Sequence, residues 1–122
     1  MIGRRLDWPT MHAARMAFHV RHRYGANDSD PNPTTFDALL EEVEEDPQDE
    51  EHVGIGVVHE SGWTIGVYSG WVVVLENVDN LDIAPRHVKV GRDRSRVLRL
   101  MRAAALGDIA CLEAEPWRPG YQ

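Results

Sequence analysis

The 122-residue chain is 43% hydrophobic and 27% charged, as is typical of a single soluble globular domain. No stretch approaches the roughly 18 apolar residues that a transmembrane helix requires, and the N-terminal sequence lacks the apolar core and cleavage site of a signal peptide. The single cysteine, Cys111, excludes an internal disulfide. Together these features predict a cytoplasmic protein.

The net charge of −7 is distributed unevenly along the sequence. Residues 1–24 carry five arginines and one acid, whereas residues 25–82 carry fifteen acids and no lysine or arginine. Residues 83–122 carry eight bases and four acids. An acidic middle therefore lies between two basic ends, a pattern that influences partner choice and association rate more than fold.

The first predicted element is a helix over residues 8–24, because Asp7 can cap it, Pro9 suits its first turn and Gly25 is a natural end. A polar loop follows this helix. We therefore divide the single domain, residues 1–122, into an arginine-rich helical N-terminal portion with its loop, and an α+β core. The first part covers 1–33 and the second covers 34–122.

The second predicted helix begins at Thr34 or Thr35, either of which can cap it, and ends at Asp46-Pro47. Its apolar face has the i, i+3, i+4, i+7 spacing of an amphipathic helix. The residues of that face are Phe36, Leu39, Leu40 and Val43. Acidic side chains fill the remaining faces.

A three-stranded meander is predicted next, with strands over 53–58, 63–68 and 71–76 that are rich in Val, Ile, Trp and Tyr. A further short strand is predicted near Val88. The meander, with the helices before and after it, predicts an α+β fold in which about three helices pack on an antiparallel sheet.

The C-terminal part is predicted to contain a helix capped by Asp93 and ended by Gly107. A short helical turn capped by Asp108 follows, and the chain then closes in extended form.

Turn lengths predict how the three strands pair. A three-residue turn would pair His59 with Trp63, and a two-residue turn would pair Tyr68 with Trp71. Alternation then places Trp63 on the apolar face and Trp71 on the opposite one. That opposite face would carry a glycine floor and an aromatic wall, formed by Gly54, Gly56, Gly66, Tyr68 and Trp71. Glycines in strands mark close approach, either of another part of the chain or of a ligand or partner.

No motif predicts catalysis, a cofactor or a metal, so we expect a protein that is not an enzyme. The sequence GIG at 54–56 lacks the third glycine and the following helix of a dinucleotide-binding signature. The other polar sets are interpreted as solvated or core-edge histidines, as a solvated acidic loop, and as a basic stripe that is either solvated or paired with the protein's own acids. In that order, the sets are His12, His19 and His22, the acids Glu76, Asp79 and Asp82, and the arginines Arg92, Arg96, Arg99 and Arg102.

The acidic segment is the strongest indication of function. Like charges one turn apart on a helix repel each other by a few tenths of a kcal/mol per pair, and no base within the segment relieves this repulsion. Compensation comes from distant arginines, from solvent or from a basic partner, and complementary charge speeds encounter with such a partner.

The sequences TTFDALLEEVEE and VGIGVVHESGWTIGVYSGWVVVLEN, followed by a helix and a terminal EPWRPG, resemble the Imm1-type immunity proteins of bacterial polymorphic toxin systems. The resemblance spans roughly residues 34–118, and Trp117 matches a tryptophan near the C-terminus of that family. It implies a small cytoplasmic α+β protein that binds and neutralises a toxin domain, often a nuclease or deaminase.

We therefore expect a binding protein, with a basic protein as partner and with no direct contact to nucleic acid or membrane. The residues predicted to bind the partner are Glu41, Glu42, Glu44, Glu45, Asp49, Glu50, Glu51, Tyr68 and Trp71. Two alternatives remain: a small ligand-binding module or enzyme that uses the glycine-floored groove, and an oligomer in which basic ends meet acidic middles.

Overall fold

The computed structural model describes residues 18–23, 27–28, 33–43 and 54–121. In chain order its elements are strand β1 (Phe18–Arg21), strand β2 (Asn27–Asp28), helix α1 (Pro33–Glu42), strands β3 (Gly54–His59), β4 (Trp63–Tyr68), β5 (Val72–Asn77) and β6 (Arg86–Lys89), helices α2 (Arg94–Leu106) and α3 (Ile109–Glu113), and strand β7 (Arg118–Pro119). The strands form one antiparallel sheet in the order β2-β1-β3-β4-β5-β6-β7. The predicted α+β fold is confirmed.

Strand β1 shows that the predicted N-terminal helix is wrong at Phe18–Arg21. Phe18 and Val20 are buried and alternate with the more exposed His19 and Arg21, which is the period of a strand. All four residues of β1 pair with β3. This pairing overrides the helical spacing of apolar residues in the sequence, and residues 8–17 and 24 of the predicted helix lie outside the described part of the chain.

Helix α1 confirms the second predicted helix, although its bounds differ. It begins at Pro33, a residue suited to a first helical turn, and ends at Glu42. Its predicted apolar face is buried at every position, with exposures of 3% or less for Phe36, Leu39, Leu40 and Val43. Amphipathic spacing was therefore a sufficient signal for this element.

The first hairpin has the predicted register. Val58 pairs with Thr64, so His59 lies opposite Trp63 across a three-residue turn. The turn is closed by the Gly62 N–H, which donates to the His59 carbonyl at 2.9 Å. Gly62 has a φ of 93°, a conformation that glycine adopts without steric cost.

The second hairpin differs from its predicted register by one residue. Tyr68 pairs with Val72, so the turn contains three residues, Ser69, Gly70 and Trp71, rather than two. Trp71 takes part in the turn with a φ of 61°. The prediction took Ser69-Gly70 as the whole turn, whereas the structure includes Trp71 in it although a bulky residue rarely adopts positive φ.

This one-residue difference moves every β5 side chain to the face opposite the predicted one. Val73 and Leu75 lie in the core with exposures of 0% and 1%. Val72 and Val74 lie on the other face, beside Tyr68 and Gly66 respectively.

Helix α2 is bounded as predicted. The Asp93 side chain accepts a hydrogen bond from the Arg96 N–H at 3.1 Å. At the other end Gly107 is left-handed, with a φ of 68°, and the Asp108 N–H donates to the Ala103 carbonyl at 2.8 Å. These bonds form a Schellman motif, which satisfies the carbonyls at the helix end. The predicted short turn is α3, with Asp108 as its cap.

Helices α1 and α2 cover one face of the sheet and form a single hydrophobic core with it. The core includes Phe18 and Phe36, whose ring centroids are 6.1 Å apart, and the buried face of α2 around Leu100. Trp117 packs against this core from the C-terminal tail. Within the described ranges, helices long and apolar enough to cross a membrane are absent.

Candidate functional site

Helix α1 presents two acidic side chains to solvent, one helical turn apart. The Asp37 side chain is 52% exposed and the Glu41 side chain is 74% exposed. They project because the opposite side of α1 is occupied by the buried residues Phe36, Leu39 and Leu40. Glu41 belongs to the predicted partner-binding set and Asp37 does not, and together these two residues are the acidic surface of α1.

Arg94, at the start of α2, is the cation that approaches this pair. Its Nη2 donates to Asp37 Oδ1 at 3.2 Å and lies 4.0 Å from Glu41 Oε1. Nη2 also donates to the Asp37 carbonyl at 3.2 Å. Both carboxylates share one partly exposed guanidinium, so the pairing is weak and leaves the surface net negative.

Other arginines of the C-terminal half pair with C-terminal acids instead. Arg86 forms a bidentate pair with Glu113 at 2.7 and 3.0 Å. This contact holds the pKa of the Glu113 carboxyl below its ordinary value and raises that of Arg86.

A second acid, Glu115, forms ion pairs with two further arginines. It accepts from Arg96 Nε at 2.8 Å and from Arg99 Nη2 at 3.3 Å. Two of the four arginines Arg92, Arg96, Arg99 and Arg102 are therefore neutralised by the chain's own C-terminal segment, and not by the acidic surface of α1.

Glu42 has a different role from its neighbour Glu41. Its carboxylate accepts from His22 Nδ1 at 2.6 Å and from the Arg23 backbone N–H at 2.9 Å. Arg23 is 3% exposed, and its Nη1 donates to the Glu42 and Val43 carbonyls at 2.8 and 3.2 Å. These bonds cap the C-terminal end of α1 and attach it to the end of β1. Glu42 is thus a structural contact within the chain, which corrects its predicted place on the docking surface.

The other predicted acids, Glu44, Glu45, Asp49, Glu50 and Glu51, lie outside the described residues. They follow α1 directly in the sequence.

The predicted register placed Trp71 beside Tyr68, but in the structure Val72 occupies that position. The Trp71 side chain is 7% exposed and belongs to the hydrophobic core, because the three-residue turn directs it towards the helices. A side chain that anchors a partner protein must be exposed, so that the partner can contact it. Trp71 is therefore a core residue rather than the predicted contact residue.

Tyr68 lies on the outer face, as predicted, and covers two of the three glycines there. A Cβ at Gly54 would meet the Tyr68 Cε1 atom at 2.6 Å, and a Cβ at Gly66 would meet Cε2 at 2.9 Å. Arg21 covers the third, since a Cβ at Gly56 would lie 2.7 Å from its Nη2. The glycine positions are occupied by the chain's own side chains and do not form an open groove.

The surroundings of Tyr68 alter its acidity. Burial raises the pKa of its phenol, the nearby Arg21 guanidinium opposes that shift, and Glu76 reinforces it. The phenol is therefore protonated at neutral pH. Beside it, Arg21 Nε is buried without a hydrogen-bond partner.

The described residues contain no group of three or more His, Cys, Asp or Glu side chains arranged to hold a metal ion. Cys111 is a free thiol in α3 and is partly exposed.

Two sets of residues with clear roles were not identified from the sequence. One is the Arg23, Glu42 and His22 contact, whose members are about twenty residues apart and lack any local signal. The other is the pairing of Glu113 and Glu115 with arginines of β6 and α2. The excess of bases over acids in residues 83–122 was a partial indication of the second set.

Comparisons with protein-family models, curated protein sequences and solved structures find no match to this chain. Its function is therefore inferred from its own residues and their geometry.

Proposed function

We propose that this chain is a binding protein of the immunity type, which neutralises a basic toxin domain by stoichiometric binding and not by catalysis. The acidic surface of α1 and the segment after it would contact the toxin. If that toxin is a nuclease or deaminase, the carboxylates would occupy the cleft that otherwise holds nucleic acid.

One observation supports this proposal above the others. Among the described residues, Asp37 and Glu41 are well exposed and pair with Arg94 alone, while Arg86, Arg96 and Arg99 pair with Glu113 and Glu115. The sequence places no lysine or arginine anywhere in residues 25–82. The negative surface at α1 is therefore left for solvent or for a partner of opposite charge.

The test begins with affinity capture of the partner from extracts of the organism that encodes the chain. The captured protein is then titrated with the purified chain while its toxic activity is measured. Stoichiometric inhibition predicts a linear loss of activity that is complete at one chain per toxin domain. Capture of a basic protein whose activity is unchanged by the chain would contradict the proposal.

The surface is tested by charge reversal. The double variant Asp37→Lys, Glu41→Lys should slow association about tenfold or more at low ionic strength, and the difference should shrink at high salt. The matched control is Glu60→Lys, Asp82→Lys, which changes the charge equally at exposed positions in turns outside α1. Equal slowing by both double variants would show that net charge, and not this surface, governs binding.

A further inference from the structure

A basic groove of about 820 Å³ lies at the β7 edge of the sheet. This volume falls within the range of about 300–1,000 Å³ that is common for binding pockets. Its lining residues come from β6 and from the C-terminal tail, and they are His87, Val88, Lys89, Pro116, Arg118 and Pro119.

The groove exists because β7 covers only part of β6. The two strands pair at Arg86 and His87 alone, and the tail before β7 leaves the sheet edge. Trp117 turns inward there, with its backbone N–H donating to the Glu115 carbonyl at 2.8 Å and its indole N–H donating to the Leu112 carbonyl at 2.6 Å. Pro116, which precedes it, has no N–H to offer an adjacent strand.

The end of β6 consequently has an open edge. The Val90 N–H donates to the Trp71 carbonyl at 3.1 Å, in register with the β5–β6 ladder. Hydrogen-bonded and non-hydrogen-bonded pairs alternate in an antiparallel ladder. The N–H and carbonyl of Lys89 therefore point away from β5, towards the groove beyond the end of β7.

The side chains at this edge are basic, and the described residues provide no acid that pairs with them. Lys89 and Arg118 are exposed, and neither forms an ion pair with the residues that the structure describes. His87 adds a third nitrogen base, with Nδ1 donating to the Gly120 carbonyl at 3.0 Å. The described residues that line the groove include no carboxylate, and Glu113 and Glu115 nearby in sequence are engaged by other arginines.

We propose that this groove binds a short extended acidic segment of a partner protein. The segment adds alongside β6, with its backbone bonded to the Lys89 N–H and carbonyl, and its carboxylates bonded to Lys89 Nζ and the Arg118 guanidinium. Charge complementarity selects an acidic occupant over a neutral or basic one. This surface lies on elements other than α1, so the proposal is independent of the one above.

The test uses the full chain and a fluorescein-labelled peptide, Glu-Val-Glu-Val-Glu, followed by fluorescence anisotropy at low salt. Binding should saturate at one peptide per chain. Lys89→Glu and Arg118→Glu should each raise the Kd about tenfold or more. The matched control is Arg102→Glu, the same charge change at an exposed position of α2, and it should leave the Kd within about twofold. Circular dichroism verifies that each variant is folded.

Two peptide controls use the unaltered chain. Lys-Val-Lys-Val-Lys should not bind, and N-methylation of the central glutamate amide of the acidic peptide should weaken binding. The proposal is overturned if the acidic peptide does not saturate, if the lysine peptide binds equally well, if N-methylation has no effect, or if Arg102→Glu weakens binding as much as Lys89→Glu. It is also overturned if the chain self-associates at low salt in a way that Lys89→Glu abolishes, since the occupant would then be a second copy.

Discussion

Tyr68 and Arg21 explain at the residue scale why three glycines occur on one face of the sheet. The Tyr68 ring lies against Gly54 and Gly66, and the Arg21 guanidinium lies against Gly56. A side chain at any of these positions must displace what covers it. The cost depends on whether the displaced atoms belong to a flexible side chain or to packed structure.

The variants Gly54→Ala and Gly56→Ala should therefore differ in stability. A Cβ at Gly54 meets the Tyr68 ring and also the Val67 carbonyl, a backbone atom, at 3.0 Å. The expected loss is about 1–3 kcal/mol, as for other overpacked sites. The three atoms nearest a Cβ at Gly56 all belong to the far end of Arg21, a flexible side chain, so the loss should be smaller.

Chemical denaturation of both variants and the unaltered chain measures the free energies of unfolding. Equal losses, or a greater loss for Gly56→Ala, would show that Arg21 is held as rigidly as the backbone beside Gly54.

The sequence predicted the glycine cluster correctly but not what covers it. The register of β3 with β4 follows from local turn and alternation signals, which bring Gly54, Gly56 and Gly66 together. Arg21 was assigned to a helix, so its place above Gly56 was not predictable from those signals. Only the pairing of β1 with β3 brings it there.

At the element scale, helix α1 has two consecutive glutamates with opposite roles. Glu41 points to solvent, and Glu42 accepts hydrogen bonds from His22 and from the Arg23 backbone. A helix rotates by about 100° per residue, so neighbouring positions face different surroundings. The sequence identified both residues as acids on polar faces. It gave no indication that β1 would lie beside the second.

Glu42→Ala should destabilise the fold by about 1–3 kcal/mol, because it leaves the partly buried Arg23 N–H without its acceptor. Glu41→Ala is the matched control at an exposed site, and its effect should stay within about 0.5 kcal/mol. Thermal and chemical unfolding measure both. In the association assay with the proposed partner the order should reverse, with Glu41→Ala having the larger effect on the rate.

Equal destabilisation by the two variants would contradict the separation of roles. A larger effect of Glu42→Ala on association rate at high salt, where screening suppresses surface charge, would place Glu42 in the interface.

The second hairpin illustrates why local signals were sufficient for some elements and insufficient for others. Amphipathic spacing defined α1, and the Asp93 and Gly107 caps defined α2, since those signals lie within or next to the element itself. The Ser-Gly-Trp sequence, by contrast, is compatible with a turn of two residues or of three. Burial of the Trp71 side chain in the core favours the three-residue turn despite its positive φ, and that burial depends on α2 and the rest of the sheet.

At the scale of the whole molecule, the charge blocks of the sequence are only partly paired within the chain. The C-terminal arginines Arg86, Arg96 and Arg99 are engaged by Glu113 and Glu115, close to them in the same half. Residues 83–122 are therefore less available to the acidic middle of another copy than their net charge of +4, eight bases against four acids, suggests. A net charge of −7 also makes two copies repel each other.

We therefore predict that the chain is monomeric at low and at high ionic strength. Sedimentation equilibrium in about 20 mM and about 500 mM salt, which bracket the range from weak to strong screening, should give the mass of one chain, 13.8 kDa, in both. Screening removes attraction between opposite charge blocks, so an assembly held by them would be larger in the low-salt sample. Such a salt-sensitive dimer would support the oligomeric alternative, in which basic ends meet acidic middles, and would contradict an acidic surface kept free for a toxin. A dimer of equal stability in both conditions would instead indicate an apolar interface and would contradict the predicted monomer without involving the charge blocks.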